Sequence, residues 1–352
     1  FPTRRSSDLA VLLAVWTAAL GPVPLLQAQT VAEAGSTDCA ADPTDAGPNH
    51  RLVQWVENES DSDGQLFTTV HTYVELGLGL NRWDDASEQW VPSQPEFEQT
   101  RDGFLVARQT QHRAILDPDL AVEGAVDVLT PDGVRLRSSP LGIALVDASS
   151  GSSVMLGEVA SCKVEWVGPG EAIYRRAFRG LEADVRYRLT LDGIEQDIML
   201  EEQIPPELVA ELGLNPAATR VLILTEFFDA PEPVVTPMAE GMNRFGFGDM
   251  EIGPGQAFRV EPETVEGTAV VRPSWELIEG RRLLVESVEY AALGPLMDAL
   301  PVPDQGRIES LKSRVRRTAS VRPGHLSPRQ ARTDSHSERE LRSAGRGRWG
   351  AG

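Results

Sequence analysis

The chain has 352 residues, 41% hydrophobic and 24% charged, with a formal net charge of −20 and a pI near 4.7. Residues 1–306 hold 21 Lys/Arg against 49 Asp/Glu, whereas residues 307–352 hold 12 against 4. Phosphate binding needs clustered cations, so the acidic body excludes a nucleic-acid or anionic-membrane surface.

The chain begins with Phe1, and FPTRRSSDL reads as a short-read sequencing adapter translated in one frame. The competing reading is a genuine leader start using Arg4 and Arg5. Residues 1–8 are set aside from fold reasoning on the adapter reading. Leu9–Leu20, LAVLLAVWTAAL, carries no charge, and small residues follow near Ala28 and Ala34. A membrane span needs about 20 apolar residues, so this short core with a small-residue exit predicts a signal peptide over 9–34. The expected location is extracytoplasmic (secreted, periplasmic or cell-surface), with no membrane span in the mature chain. Residues 35–50 read as an N-terminal linker.

Two cysteines, Cys39 and Cys162, lie in the exported part. An oxidising compartment permits a disulfide between them, worth about 4 kcal/mol in the loop-entropy model. Two unrelated thiols are the alternative. No CxxC or Cys/His cluster points to zinc or thiol-redox chemistry.

Residues 51–300 read as successive β-hairpins. Val126–Leu129 and Val134–Leu136 flank Thr130-Pro131-Asp132-Gly133, whose proline and glycine positions suit a type I turn. Leu141–Val146 adds a strand, and Cys162–Val167 and Ala172–Phe178 flank a Gly-Pro-Gly turn. Asp192-Gly193 is a strong hairpin signal. Pairing outward from it sets Leu189 opposite Gln196 and Tyr187 opposite Ile198 on an apolar face, with Arg188 opposite Asp197 on a charged one. Those carboxylates are therefore expected to lie on a solvated, ion-paired sheet face rather than in a catalytic dyad.

Pro205–Leu212 followed by Gly213 predicts a short helix, and Tyr290–Leu300 a second. Arg220–Phe228, an apolar run, predicts a buried central strand. Pro231-Glu232-Pro233 suggests a boundary, giving a main domain over 51–235 and a smaller β-rich unit over 236–303. The basic residues 304–352 read as a disordered tail, with a frameshifted translation and a functional basic arm as alternatives.

Candidate sites are sparse. Glu59, Asp61 and Asp63 before Gly64 alternate like the oxygen ligands of a calcium loop, although Val70 stands where a closing Glu is wanted. A polar turn explains them equally, and no other cofactor is indicated. Trp83 and Trp90 flank an acidic hairpin tip, as a sugar platform or as cross-strand packing. His71 and His112 are the histidines inside the β body, and neither sits near a nucleophile motif. Arg175, Arg176 and Arg179 concentrate positive charge, either for an anionic ligand or to neutralise nearby carboxylates. No catalytic residue is assigned.

LNRWDDASEQWVPS (80–93), QHRAILDPDL (111–120), VDVLTPDGVRLRSSPLGIALVD (126–147), EQDIMLEEQIPP (195–206) and LGLNPAATRVLILTEFFDAPEP (212–233) carry a resemblance. They resemble the N-terminal β-rich region of large exported bacterial proteins that often continue into Rhs/YD-repeat or lectin-like modules. The resemblance covers about 51–300 and implies no catalytic residue. The expectation is an all-β, antiparallel sandwich-like body built from hairpins, with one or two short helices. Its expected role is a non-catalytic structural or interaction module of a cell-surface protein. Downstream modules of the same polypeptide, cell-surface components or a glycan are the expected partners. The alternative is a secreted carbohydrate-binding protein or glycoside hydrolase, which needs two carboxylates converging in a cleft.

Overall fold

A computed structural model describes residues 11–20, 40–60, 66–260 and 267–320. The adapter-like residues 1–8, the predicted cleavage region, Cys39, Asp61, Asp63 and residues 321–352 lie outside the described residues.

The fold is all-β, and its ladders are antiparallel. Strand β1 (Val11–Leu20) is followed by a three-stranded ribbon of β2 (Ala40–Gly47), β3 (His50–Ser60) and β4 (Leu66–Leu76). A small hairpin follows, β5 (Asn81–Asp84) and β6 (Gln89–Pro92). The body then runs through β7 (Glu98–Gln99), β8 (Leu105–Ala107), β9 (Arg113–Leu116), β10 (Val126–Leu129), β11 (Arg135–Asp147) and β12 (Ser153–Val159). It continues with β13 (Val164–Gly168), β14 (Glu171–Tyr174), β15 (Phe178–Arg179), β16 (Ala183–Leu189) and β17 (Gly193–Leu200). After helix α1 (Pro206–Glu211) come β18 (Thr219–Phe227), β19 (Val234–Pro237), β20 (Asn243–Phe247), β21 (Met250–Ile252) and β22 (Gly255–Arg259). Strands β23 (Ala269–Ile278) and β24 (Arg281–Glu289) precede α2 (Tyr290–Met297) and α3 (Gln305–Ser320).

Two groups of strands make the sandwich-like body. One places β18 between β11 and β24. The other runs β14–β16–β17–β1, with β1 also pairing β21 and β22. Strand β23 turns the corner: Ala269–Val271 pair with β22, and Arg272–Ile278 with β24. A strand that changes partners along its length is how a sandwich closes a corner. The inner faces share one continuous apolar core, with Leu116, Val126, Ile143 and Ile223 from the first group and Tyr187, Ile198, Phe245 and Val271 from the second.

Local sequence explains most elements. Gly133 N–H donates to the Thr130 carbonyl at 3.0 Å across the expected turn, with Gly133 at φ 89°. Helix α1 starts after Pro205 and stops at Gly213, which takes φ 81°. Strand β18 is central as expected, but it alternates buried and part-exposed residues instead of burying every one.

Four expectations change. The Asp192-Gly193 hairpin turns one residue earlier: Thr190 N–H donates to the Gly193 carbonyl, and the Thr190 hydroxyl donates to Asp192 at 2.8 Å. Leu189 therefore faces Ile194, Tyr187 faces Gln196 and Arg186 faces Asp197. Each residue keeps its face, because the slip changes partners by two. Second, residues 35–50 are not all linker, since β2 pairs with β3. Third, the division at 235 is not visible in the pairing: β24 belongs to the same sheet as β18 and β11, and the core is continuous. Fourth, helix α3 gives three helices among the described residues and occupies the start of the supposed tail. It docks because Leu311 is buried, Ile308 packs on the core, and Arg307 pairs with Glu182 and Glu202.

Candidate interaction surface and cleft

The ribbon β2–β4 is built unlike the body. Strands β3 and β4 pair from His50 opposite Leu76 to Ser60 opposite Leu66. One face sets Val53, Trp55 and Glu57 opposite Tyr73, His71 and Thr69. Trp55 stacks on His71 with ring centroids 4.5 Å apart and meets Tyr73 edge-on at 5.7 Å. The His71 ring lies 3.0 Å from a Glu57 carboxylate oxygen. The other face shows Val56, Val70, Val74 and Leu76 to solvent, with Leu76 62% exposed. Adjacent exposed apolar groups of this kind mark interaction surfaces in soluble proteins.

The ribbon's root is fixed. Asn81 donates its side-chain amide to the carbonyls of Gly47 (2.7 Å) and His50 (2.9 Å). Gly79 N–H donates to Asn49 Oδ1 at 2.9 Å. Gly79 takes φ 68°, and a Cβ there would sit 1.9 Å from the Leu191 carbonyl oxygen. Only glycine lets the two turns approach this closely.

Trp83 and Trp90 sit directly opposite each other on β5 and β6. Their rings meet edge to face, 5.5 Å apart at 72°, so they share no flat plane for a sugar ring. Trp83 remains exposed.

A second feature is an open cleft of about 270 Å³ lined by Glu232, Val235, Asn243, Phe245, Trp275 and Glu276, among others. Trp275 packs against Phe227 and Phe247 and donates its indole N–H to Glu232 at 3.2 Å. Arg282 also donates to Glu232, at 2.8 Å. One of the two cleft carboxylates is thus already engaged.

Several other acids are engaged in the same way. Arg186 donates twice to the buried Asp197, while Arg188 reaches Glu195 and Asp197. Arg135 pairs with Asp127, Arg281 with Glu226, Arg244 with Glu251 and Arg220 with Glu289. Arg175 bridges Glu165 and Asp184, Arg176 donates its backbone N–H to Asp184, and Arg179 stands opposite Glu158. Burial raises the carboxyl of Asp197 despite its two arginines. The signal for this network is compositional: the chain has two lysines, Lys163 and Lys312, so its cations are almost all arginine. Arginine is the cation suited to bidentate carboxylate pairing.

Two buried groups stand apart. Glu286 on β24 is fully buried, has no hydrogen-bond partner among the described residues, and has its carboxyl raised well above the usual range by burial. Its place beside Leu284 and Val288 on the core-facing side was readable from the period-two pattern. His112 is equally buried, and burial lowers its imidazole to about 4, against a smaller opposing pull from Asp192. The Cys162 thiol is pushed up to about 12 by burial and by Asp119 and Asp184. A thiol at that value is a poor nucleophile at neutral pH.

Among the described residues no group of three or more His, Cys, Asp or Glu side chains converges to hold a metal ion. Glu59 pairs with Phe67 one residue before the end of β3, while Asp61 and Asp63 lie outside the described residues. Among the described residues no helix is long and apolar enough to cross a membrane. Comparison with known protein families, with characterised proteins and with solved structures finds no match.

Proposed function

We propose that the chain is a non-catalytic structural or interaction module of an exported bacterial cell-surface protein, with the β2–β4 ribbon as its contact face. The observation that carries this reading is the fate of the carboxylates. Asp127, Asp197 and Glu226 are bound by arginines across sheet ladders, and Glu232 in the cleft is engaged by Arg282. The exposed Val70, Val74 and Leu76, with the Trp55–His71–Tyr73 cluster behind them, supply a surface suited to a partner. The apolar leader-like segment and the resemblance to exported repeat proteins support an extracytoplasmic location.

The cleft at Trp275 favours a second reading, a carbohydrate-binding protein or glycoside hydrolase. An aromatic wall beside two carboxylates is the minimum that such chemistry requires. The deciding experiment incubates the purified chain with a panel of polysaccharides and follows both binding and release of reducing ends. The module reading expects no release. Hydrolysis that disappears in Glu232→Gln/Glu276→Gln would overturn it.

A further inference from the structure

Strand β1 is the segment that the sequence marks as a leader, yet it holds a central place in the sheet. It pairs with β17 from Val11 opposite Leu200 to Ala19 opposite Gly193, with a bulge between Ala14 and Trp16. On its other side it pairs with β22, Leu13 opposite Ala257, and then with β21, Ala18 opposite Ile252. The neighbours are otherwise half-partnered: β17 has β16 on its far edge, and β22 has β23. Lifting β1 out leaves two facing rows of backbone N–H and C=O groups across a gap one strand wide, about 10 Å at ordinary strand spacing. Unpaired edges of this kind recruit extended peptides.

The gap has a defined chemistry. Its registered neighbours Ile194, Ile198, Leu200, Ile252 and Ala257 are all buried. On this core-facing side the polar position is Gln196, which accepts from the Tyr187 hydroxyl at 2.6 Å, while on the opposite face the registered acids Asp197, Glu195 and Glu251 are paired with Arg186, Arg188 and Arg244. The resident segment VLLAVWTAAL is uncharged along its whole length. Signal-peptide cleavage downstream of residue 20 would sever the covalent link between this strand and the sheet it completes.

We propose that the gap between β17 and β21–β22 is a strand-acceptor site. It takes an extended, uncharged peptide of about ten residues, held by ladder hydrogen bonds and alternate apolar side chains. Val11–Leu20 occupies it in the uncleaved chain, and an apolar strand from a second polypeptide takes it once the leader is severed.

The test uses the full chain with a specific protease site placed within residues 21–39. After cutting, a labelled VLLAVWTAAL peptide with solubilising ends is added, and hydrogen exchange of Gly193–Leu200 and Gly255–Arg259 is followed. The expected result is that the severed strand co-elutes with the body and is replaced by the labelled peptide. Protection of both segments should fall when the strand leaves and return when the peptide binds. A peptide carrying Leu13→Lys and Ala18→Lys should bind at least tenfold more weakly. Three outcomes overturn the proposal: unchanged protection after the strand has been removed, a severed strand that never exchanges, or a cut chain that unfolds and is not restored by the peptide.

Discussion

The body and the ribbon use the same alphabet of alternating strands to opposite ends. In the body, alternation sends apolar side chains into a shared core and carboxylates to arginines: Ile198 is fully buried, and Asp197 beside it is held by Arg186. In the ribbon, alternation produces two faces and neither is covered to the same degree, with Val70 58% exposed and Val74 55%. Period-two patterning therefore specifies a strand and its faces, but not whether a face meets a core. That is decided by which strands the topology stacks against it.

Mutations should separate the two regions sharply. Arg186→Ala removes both of its hydrogen bonds to the buried Asp197, leaving Arg188 at 3.4 Å, and should destabilise the chain by about 3–5 kcal/mol in denaturant unfolding, as breaking a buried pair does. Ile198→Ala leaves a core cavity and should cost about 2–5 kcal/mol in the same measurement. Glu286→Met should stabilise by about 1–3 kcal/mol at pH 8, because the buried carboxyl it removes has no hydrogen-bond partner among the described residues. Val74→Thr on the ribbon should stay within about 0.5 kcal/mol of the parent. A ribbon variant as damaging as Ile198→Ala would abolish the distinction drawn above.

The pH dependence sharpens the same contrast from inside the core. Glu286 has a folded value raised above the ordinary carboxylate range of about 4.5, so its contribution is favourable at low pH and is lost as pH rises beyond that range. His112 has a folded value lowered from 6.5 to about 4, so stability is lost as pH falls through that window. A thermal-melt series against pH should show His112→Leu removing part of the acid-side decline and Glu286→Met removing part of the alkaline-side decline.

Much of the body was legible because its signals are local. Thr130–Gly133 makes its turn through its own proline and glycine, and α1 is bracketed by Pro205 and Gly213. The hairpin at Asp192 shows where local signals fail: Thr190 supplies a competing hydroxyl contact that moves the turn by one residue. Longer-range facts were less readable. Nothing in the basic composition after residue 304 announces that Arg307 will find Glu182 and Glu202, more than a hundred residues away. The ribbon's aromatic cluster escaped notice because Trp55 and His71 become neighbours only once the register across residues 61–65 is known. The strand role of Val11–Leu20 was hidden by a pattern that reads equally well as a leader.

The ribbon's root has a mechanical consequence. Asn49, Asn81 and Gln111 fasten it through neutral amide-to-carbonyl bonds, Gln111 donating to the carbonyls of Pro48 and Asn81. Such bonds are not screened by salt as surface ion pairs are. The ribbon's root, with its close crossing of Gly79 and Leu191, is thus fastened by contacts that ionic strength does not weaken. On the extracytoplasmic location proposed above, that fastening holds as salinity varies.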